Sequence, residues 1–242
     1  MTLSLERQNR YRERFRAAHR GWEPATDVYE KFIRGLLRPG MTVLDIGCGR
    51  GGVFEQLGTA VDKPVGIDPD GTSLVEHRIP TLPRAAARAD KIPFRDGSID
   101  IILCSWVLEH VENPDQVFSE LARCLTVAGK FVFLTPNARS AVTVLNRLLR
   151  PLQRQLVARL YGRAEVDTFP VVYKANTPAA IQALAARHGL SVAVLKRIED
   201  PTYLAFNPAL YRASVLLSRV TPPVHLVGIL EPLAVPAAQR QR

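Results

Sequence analysis

In Val43-Leu44-Asp45-Ile46-Gly47-Cys48-Gly49-Arg50-Gly51-Gly52, three β-forming residues around an acid run straight into a glycine-rich turn. Such a strand delivers backbone to within contact distance of a small ligand. Glycine permits positive φ there and removes the Cβ that would block the approach. Helix-forming residues follow from Val53 to Leu57. Strand, glycine turn and helix in that order predict an α/β unit, with a helix N-terminus that favours an anionic group.

Gly47, Gly49 and Gly52 also fit a dinucleotide-binding turn. Asp45 separates the two readings. An acid at that strand end faces the pyrophosphate of NAD unfavourably, but it suits a ligand carrying an ammonium, as S-adenosylmethionine does. Pro64-Val65-Gly66-Ile67-Asp68 predicts a second strand ending in an acid, 17 residues after Gly51. A carboxylate there accepts from both ribose hydroxyls of a nucleoside. Asp90 then stands just beyond a third strand, placed for an adenine amino group. Ile99 to Ser105 is an apolar, β-rich run fit for a buried parallel strand.

These motifs together resemble the class I S-adenosylmethionine-dependent methyltransferases of the small-molecule type, which include ubiquinone- and menaquinone-pathway enzymes. The matching residues are the Asp-x-Gly-x-Gly-x-Gly loop (Asp45 to Gly51), Gly-Ile-Asp (66–68), Ala-Asp-Lys-Ile-Pro-Phe (89–94), Asp-Gly-Ser-Ile-Asp (96–100) and Val-Leu-Glu-His-Val (107–111). Leu121 to Asn137 completes a set that covers residues 40–137. The resemblance implies a Rossmann-like α/β fold: a seven-stranded, mostly parallel sheet with an antiparallel hairpin at its edge and helices on both faces. It implies S-adenosylmethionine as cofactor. Asp45, Gly47, Cys48, Gly49 and Gly51 would bracket its methionine end, Asp68 and Pro69 its ribose, and Asp90 with the Lys91 backbone its adenine. Ser105 and Trp106 would line the methionine end or the acceptor pocket.

The 242-residue chain suits one α/β domain with insertions. Residues 1–20 are arginine-rich and polar, without the apolar run of a secretory signal. Cys48, Cys104 and Cys124 are odd in number and read as reduced, buried thiols of a cytoplasmic protein. The net charge of +9 is unevenly spread: residues 40–136 carry nine Lys/Arg against thirteen Asp/Glu, while residues 137–164 carry six arginines and no acid. An acidic cofactor core ringed by positive charge suits an anionic substrate or surface, or is simply a solvated basic face.

Along the chain, residues 1–39 predict two helices, which the resemblance implies cover the cofactor. Tyr11 or Trp22 would face the ligand or simply pack. Residues 40–137 form the binding core. Residues 138–173 read as a helical basic insertion, with Leu145, Leu149, Leu152, Leu156 and Leu160 at helical spacing and Arg147, Arg150 and Arg154 interleaved. In the resembling family such insertions choose the acceptor. Residues 174–207 would complete the sheet, with a helix at 178–188 and strands at 191–198 and 202–206. The tail, 208–242, is apolar but broken by prolines and arginines, which leaves peripheral membrane contact or dimer packing open and disfavours a transmembrane span.

His110, just after the fourth strand, is the candidate general base, and Glu109 the residue to orient it or cap the helix. Some quinone-pathway relatives bind a metal near this position using an acid, Glu and His. The residue three before Glu109 is Trp106, so no metal is expected. Base-amino methyltransferases place an Asn/Asp-Pro-Pro-aromatic tetrad after the fourth strand. Ser105-Trp106-Val107-Leu108 stands here instead, which argues against nucleic acid. Phe169 to Thr177 resembles a segment of bacterial methyltransferases acting on glycan or secondary-metabolite intermediates. The expected activity is O-methylation of a small-molecule or glycan/lipid-linked, anionic acceptor. The rival readings are a non-catalytic S-adenosylmethionine-binding or membrane-associated partner protein and an NAD oxidoreductase.

Overall fold

The computed structural model describes residues 5–148 and 170–233. Its strands are β1 (Thr42–Ile46), β2 (Lys63–Asp68), β3 (Arg84–Ala86), β4 (Ile99–Ser105), β5 (Leu125–Pro136), β6 (Leu190–Ile198) and β7 (His225–Pro232). They form one sheet in the order β3-β2-β1-β4-β5-β7-β6. All pairings from β3 to β5 are parallel, whereas β7 runs antiparallel to both β5 and β6. The chain winds outward from β1 to β3 and then crosses back to β4 on the other side of β1. That reversal opens a crevice at the carboxyl ends of β1 and β4, where Ile46 pairs with Cys104.

Alternation along each strand builds two cores. Leu44, Ile102, Phe131, Phe133 and Leu226 face one layer, while Val43, Ile101, Leu103, Val132 and Val227 face the other. Both layers are covered, as parallel strands require. Helices α2 (Ala25–Leu36) and α3 (Val53–Leu57) cover the second layer; α5 (Pro114–Cys124) and α7 (Pro178–Arg187) cover the first. α4 (Gly71–Val75) follows β2, α6 (141–148) follows β5, and α1 (Leu5–Ala18) packs against α8 (Pro208–Ser218). Asn113, Thr177 and Asn207 cap α5, α7 and α8, each followed by Pro at the first helical position.

The edge hairpin differs from the expected one. Residues 202–206 are not a strand. Pro201–Leu204 is a 3-10 turn, because Pro201 supplies no ladder donor and the Asp200 carboxylate accepts from Thr202 N at 2.9 Å. The partner of β6 is β7, which lies in the stretch expected to be an apolar tail. That tail therefore contributes α8 and a strand buried from His225 to Leu230 to the domain. Of the expected insertion, α6 is described, while Leu149, Arg150, Leu152, Arg154, Leu156 and Leu160 lie outside the described residues.

β7 is held tightly between its neighbours at Gly228. A Cβ there would stand 2.6 Å from Phe133 Cζ and 2.9 Å from the Val194 carbonyl oxygen. Gly228→Ala is expected to cost about 1–3 kcal/mol through overpacking, a fall in Tm on the order of 5 °C by calorimetry. An unchanged Tm would mean that the β5–β7–β6 seam is looser than drawn.

Candidate active site

The glycine turn after β1 serves the protein before it serves a ligand. Gly47 N donates to the Ile67 carbonyl at 2.8 Å, Cys48 N to the same oxygen at 3.1 Å, and Gly51 N to the Cys48 carbonyl at 3.0 Å. Gly49 N donates to Asp68 Oδ2 at 2.9 Å. Gly47 is at φ +76, and a Cβ on it would collide with Val107 Cγ2, so that side chains after β1 and β4 interlock only over glycine. α3 is five residues long. The expected amide cradle for an anion is therefore replaced by something else: backbone amides are spent on orienting a carboxylate.

That carboxylate is Asp68, buried at the end of β2. Its Oδ1 accepts from Asp70 N at 2.8 Å and its Oδ2 from Gly49 N. Two backbone donors fix its plane, and each oxygen retains a further acceptor direction. Asp45 is also buried, and burial, then the nearby Asp68 charge, push its carboxyl up to about 8. A buried pair of acids at the crevice fits a ligand that brings a cation and hydroxyl donors. Tyr29, unnoticed in the sequence, sits beneath: its hydroxyl accepts from Cys104 N at 3.1 Å, and burial and Asp45 raise its pKa. Cys48 turns its thiol against Gly66 beneath β2, where burial pushes it up to about 12. The Cys48 side chain is thus spent on packing, and its N–H and carbonyl are bonded within the turn.

Asp45 sets a pH dependence. Its folded pKa lies above its unfolded value of 3.8, so the folded state holds the proton more tightly between about 4 and about 8. Stability contributed by this group is complete below the unfolded pKa and falls as pH rises through that window. His225 has the opposite sign, pushed down to about 4 by burial, so its contribution is lost as pH falls from its ordinary value toward 4. The difference between wild type and Asp45→Asn isolates the acid. Urea unfolding at stepped pH should show the variant gaining on wild type progressively from pH 4 to 8. Parallel curves would show that Asp45 is ionised at little cost.

The third acid is differently placed. Asp90 is held bidentately by Arg88, at 2.9 and 2.8 Å, which keeps its carboxyl below its ordinary value. A ligand amino group would have to share it. Pro69 and Lys91 are exposed beside Asp68 and Asp90.

After β4, Ser105 leads to Trp106 at φ +59, a left-handed conformation that a large side chain adopts only under constraint. Trp106 N donates to the Leu134 carbonyl at 2.9 Å, and its half-exposed ring meets His225 edge-on at 5.2 Å. His225 Nε2 and the Tyr203 hydroxyl are 2.9 Å apart. His225 pairs with Pro136, so this cluster stands at the carboxyl end of the parallel strands beside the crevice. Sequence reasoning missed it because both residues sit in segments assigned to the wrong elements.

His110 Nδ1 lies 2.8 Å from the Pro170 carbonyl oxygen. A carbonyl can only accept, so Nδ1 carries the hydrogen and Nε2 is the basic nitrogen. Glu109 does not orient His110 and caps no helix. Its carboxyl is buried, accepts from the Thr135 hydroxyl at 3.2 Å and is pushed up to about 7 by desolvation. Its carbonyl accepts from Val172 and Tyr173 N at 2.7 and 3.2 Å, and Lys174 Nζ donates to the Glu112 carbonyl at 2.7 Å. Residues 170–177 are thus a clamp over 108–112. Tyr11 and Trp22 pack: Tyr11 stacks on Tyr211, and Trp22 Nε1 donates to the Glu199 carbonyl at 2.9 Å. Among the described residues, no cluster of three or more His, Cys, Asp or Glu could hold a metal, and no helix is long and apolar enough to cross a membrane.

A family profile described as a methyltransferase domain matches residues 44–133. A Mycolicibacterium smegmatis protein named "Probable S-adenosylmethionine-dependent methyltransferase" is 29% identical over 163 residues, 63% of this chain and 62% of its own length. The chain thus spans less than two thirds of that relative. A ubiquinone biosynthesis O-methyltransferase of Thiobacillus denitrificans is 26% identical over 209 residues, 79% of this chain and 84% of that one. Among solved structures, geranyl diphosphate C-methyltransferase of Streptomyces coelicolor, in complex with Mg2+, geranyl diphosphate and S-adenosylhomocysteine, superposes with a TM-score of 0.60 at 15% identity, over 86% of this chain and 77% of that one. The 3-2-1-4-5-7-6 sheet carries the paired acids and the interlocked β1 and β4 turns, and residues 44–133 of this chain match a methyltransferase domain.

Proposed function

We propose that this chain methylates a hydroxyl oxygen of a small-molecule or glycan/lipid-linked, anionic acceptor, with S-adenosylmethionine as donor. The observation that carries the reading is the pair of buried acids, Asp45 and Asp68, at the carboxyl ends of β1 and β2 beside the crevice; His110, whose tautomer is fixed, follows β4 in the chain. The acids match the donor's cationic end and ribose. Asp45 meets the ammonium, which favours its ionised form; Asp68 accepts from the ribose hydroxyls; Gly47, Gly49, Gly51 and the Cys48 backbone shape the turn around the methionine end. Asp90 and the Lys91 backbone take the adenine beside Arg88, Pro69 flanks the ribose, and Ser105 and Trp106 wall the acceptor side. The bound donor supplies an electrophilic methyl group.

What the chain adds is alignment and proton handling. His110 Nε2 takes the acceptor hydroxyl proton, while Nδ1–H stays on the Pro170 carbonyl and keeps the ring in place. The name of the Thiobacillus denitrificans relative supports oxygen as the acceptor atom. The six arginines between residues 137 and 164 support an anionic acceptor, with residues 138–173 as its lid. The test is methyl transfer from labelled S-adenosylmethionine into extract fractions, with the labelled product resolved by charge and by extraction into organic solvent. Label in an anionic product whose methyl resists mild base but is released as methyl iodide by hot hydriodic acid, as that of a methyl ether is, supports the reading. Label on nitrogen or carbon would reassign the acceptor atom. Donor binding with no transfer to any fraction would favour a binding protein.

A further inference from the structure

α8 buries a narrow stripe, Tyr211 and Ser214, and turns the rest of its surface outward. Leu210, Leu216 and Leu217 are 45%, 62% and 39% exposed, and Val220 just past its end is 81% exposed. Arg212 and Arg219 stand among them, and no acidic residue occurs between Asp200 and Glu231. α1 lies alongside through the Tyr11–Tyr211 stack, with ring centroids 4.4 Å apart. Its Arg7, Arg10 and Arg14 recur three and four residues apart, which puts them on one helix face. With Phe206 and Pro208 they line an open hollow of about 420 Å³ that contains no carboxylate. A second hollow, about 390 Å³, continues from Arg14 and Tyr211 to Val215 and Leu216. Arg10, Arg212 and Arg219 make no ion pair with a described residue.

A neighbouring helix presents the same kind of surface. Asn137 N donates to the Val224 carbonyl at 2.7 Å, and Asn137 Nδ2 to the Pro223 carbonyl at 2.8 Å, tying the end of β5 to the segment that leaves α8. α6 starts four residues beyond that tie and exposes Val144, Leu145 and Leu148 around Arg147. Protruding aliphatic side chains, a rim of arginines, and no acid on α8 or in either hollow fit a planar, negatively charged, apolar-beneath-polar partner. A soluble anion would use the arginines and leave the leucines in water. An acidic protein partner would not call for so many aliphatic tips among the cations.

We propose that α8, with the arginine face of α1 and the exposed Val144, Leu145 and Leu148 of α6, docks this chain on an anionic phospholipid surface. The aliphatic tips enter the boundary between headgroups and acyl chains, and the arginines meet lipid phosphates. The proposal rests on exposed faces alone and stands apart from the methyl-transfer reading. α6 follows β5 and α8 leads into β7 at the carboxyl edge of the parallel strands, so docking would turn the crevice toward the membrane.

Co-sedimentation of the full chain with vesicles tests it, using phosphatidylcholine alone and phosphatidylcholine mixed with phosphatidylglycerol. The chain should pellet with the mixed vesicles, stay in solution with phosphatidylcholine alone, and dissociate as salt rises. Arg10→Gln with Arg212→Gln should weaken binding about thirtyfold, and Leu216→Ser with Leu217→Ser about tenfold or more. Both double variants should bind S-adenosylhomocysteine as wild type does, which reports an intact fold. Wild type that binds S-adenosylhomocysteine but ignores both vesicles overturns the proposal. So does pelleting that neither double variant weakens, which would place the lipid contact elsewhere. A dimer in sedimentation velocity that Leu216→Ser with Leu217→Ser dissociates, without vesicle binding, would assign the face to a second copy of this chain.

Discussion

Asp68→Ala is expected to abolish S-adenosylhomocysteine binding in calorimetric titration, with affinity falling between about 10² and 10⁴-fold. The magnitude follows from the loss of two hydrogen bonds to a charged acceptor, each worth about 1.5–3 kcal/mol. The geometry makes this carboxylate hard to replace. Gly49 N and Asp70 N lock its plane, so both oxygens are presented at once. Asp68→Ala also leaves those two amides without their acceptor, so a thermal melt must accompany the titration. Asp68→Asn keeps one oxygen acceptor and should recover part of the affinity. Full-strength binding by a folded Asp68→Ala protein would remove the ribose assignment, and with it the main structural support for a nucleoside ligand.

His110→Ala should lower kcat by about 10² to 10⁴, the usual range for a lost general base, while leaving S-adenosylhomocysteine affinity within about twofold. The split matters because His110 also supports structure: its Nδ1–H holds the Pro170 carbonyl and so helps pin the 170–177 clamp. A residue acting only through that clamp would raise KM for the acceptor and spare kcat. His110→Asn can restore a donor to the clamp without restoring a base. If it recovers turnover, His110 is a positioning residue and the proton leaves by another route. Tyr203 and His225, 2.9 Å apart beside Trp106, are then the groups to replace next.

What could be read from the residues depended on whether the chemistry was local. The strand ends that carry Asp45 and Asp68 and the turn at Gly47 were legible because strand, turn and acid are contiguous, and sterics allow few alternatives there. The order of the parallel strands followed for the same reason. The hairpin was misplaced because Thr202 and Tyr203 have strand-like side chains, while the capping Asp200 carboxylate and Pro201 decide the backbone. β7 was hidden among prolines, and its burial comes from pairing with β5 and β6, segments distant in the chain. Glu109 read as a neighbour for His110 because they are adjacent, yet the 3-10 turn at Leu108–His110 points Glu109 inward to Thr135. The clamp by Pro170, Val172 and Tyr173 joins residues about sixty apart, and no local pattern announces it.

The position of β7 also bears on how the domain comes into being. The strand between β5 and β6 is the last of the seven to leave a ribosome. Until it emerges, β5 and β6 cannot be joined in the sheet, and each presents an unpaired ladder of amides and carbonyls to whatever strand is near. Nascent chains halted before His225 would therefore carry two adhesive edges, the condition under which chains cross-pair with one another or with chaperones. Vectorial synthesis leaves this domain unsealed until its final strand slides home.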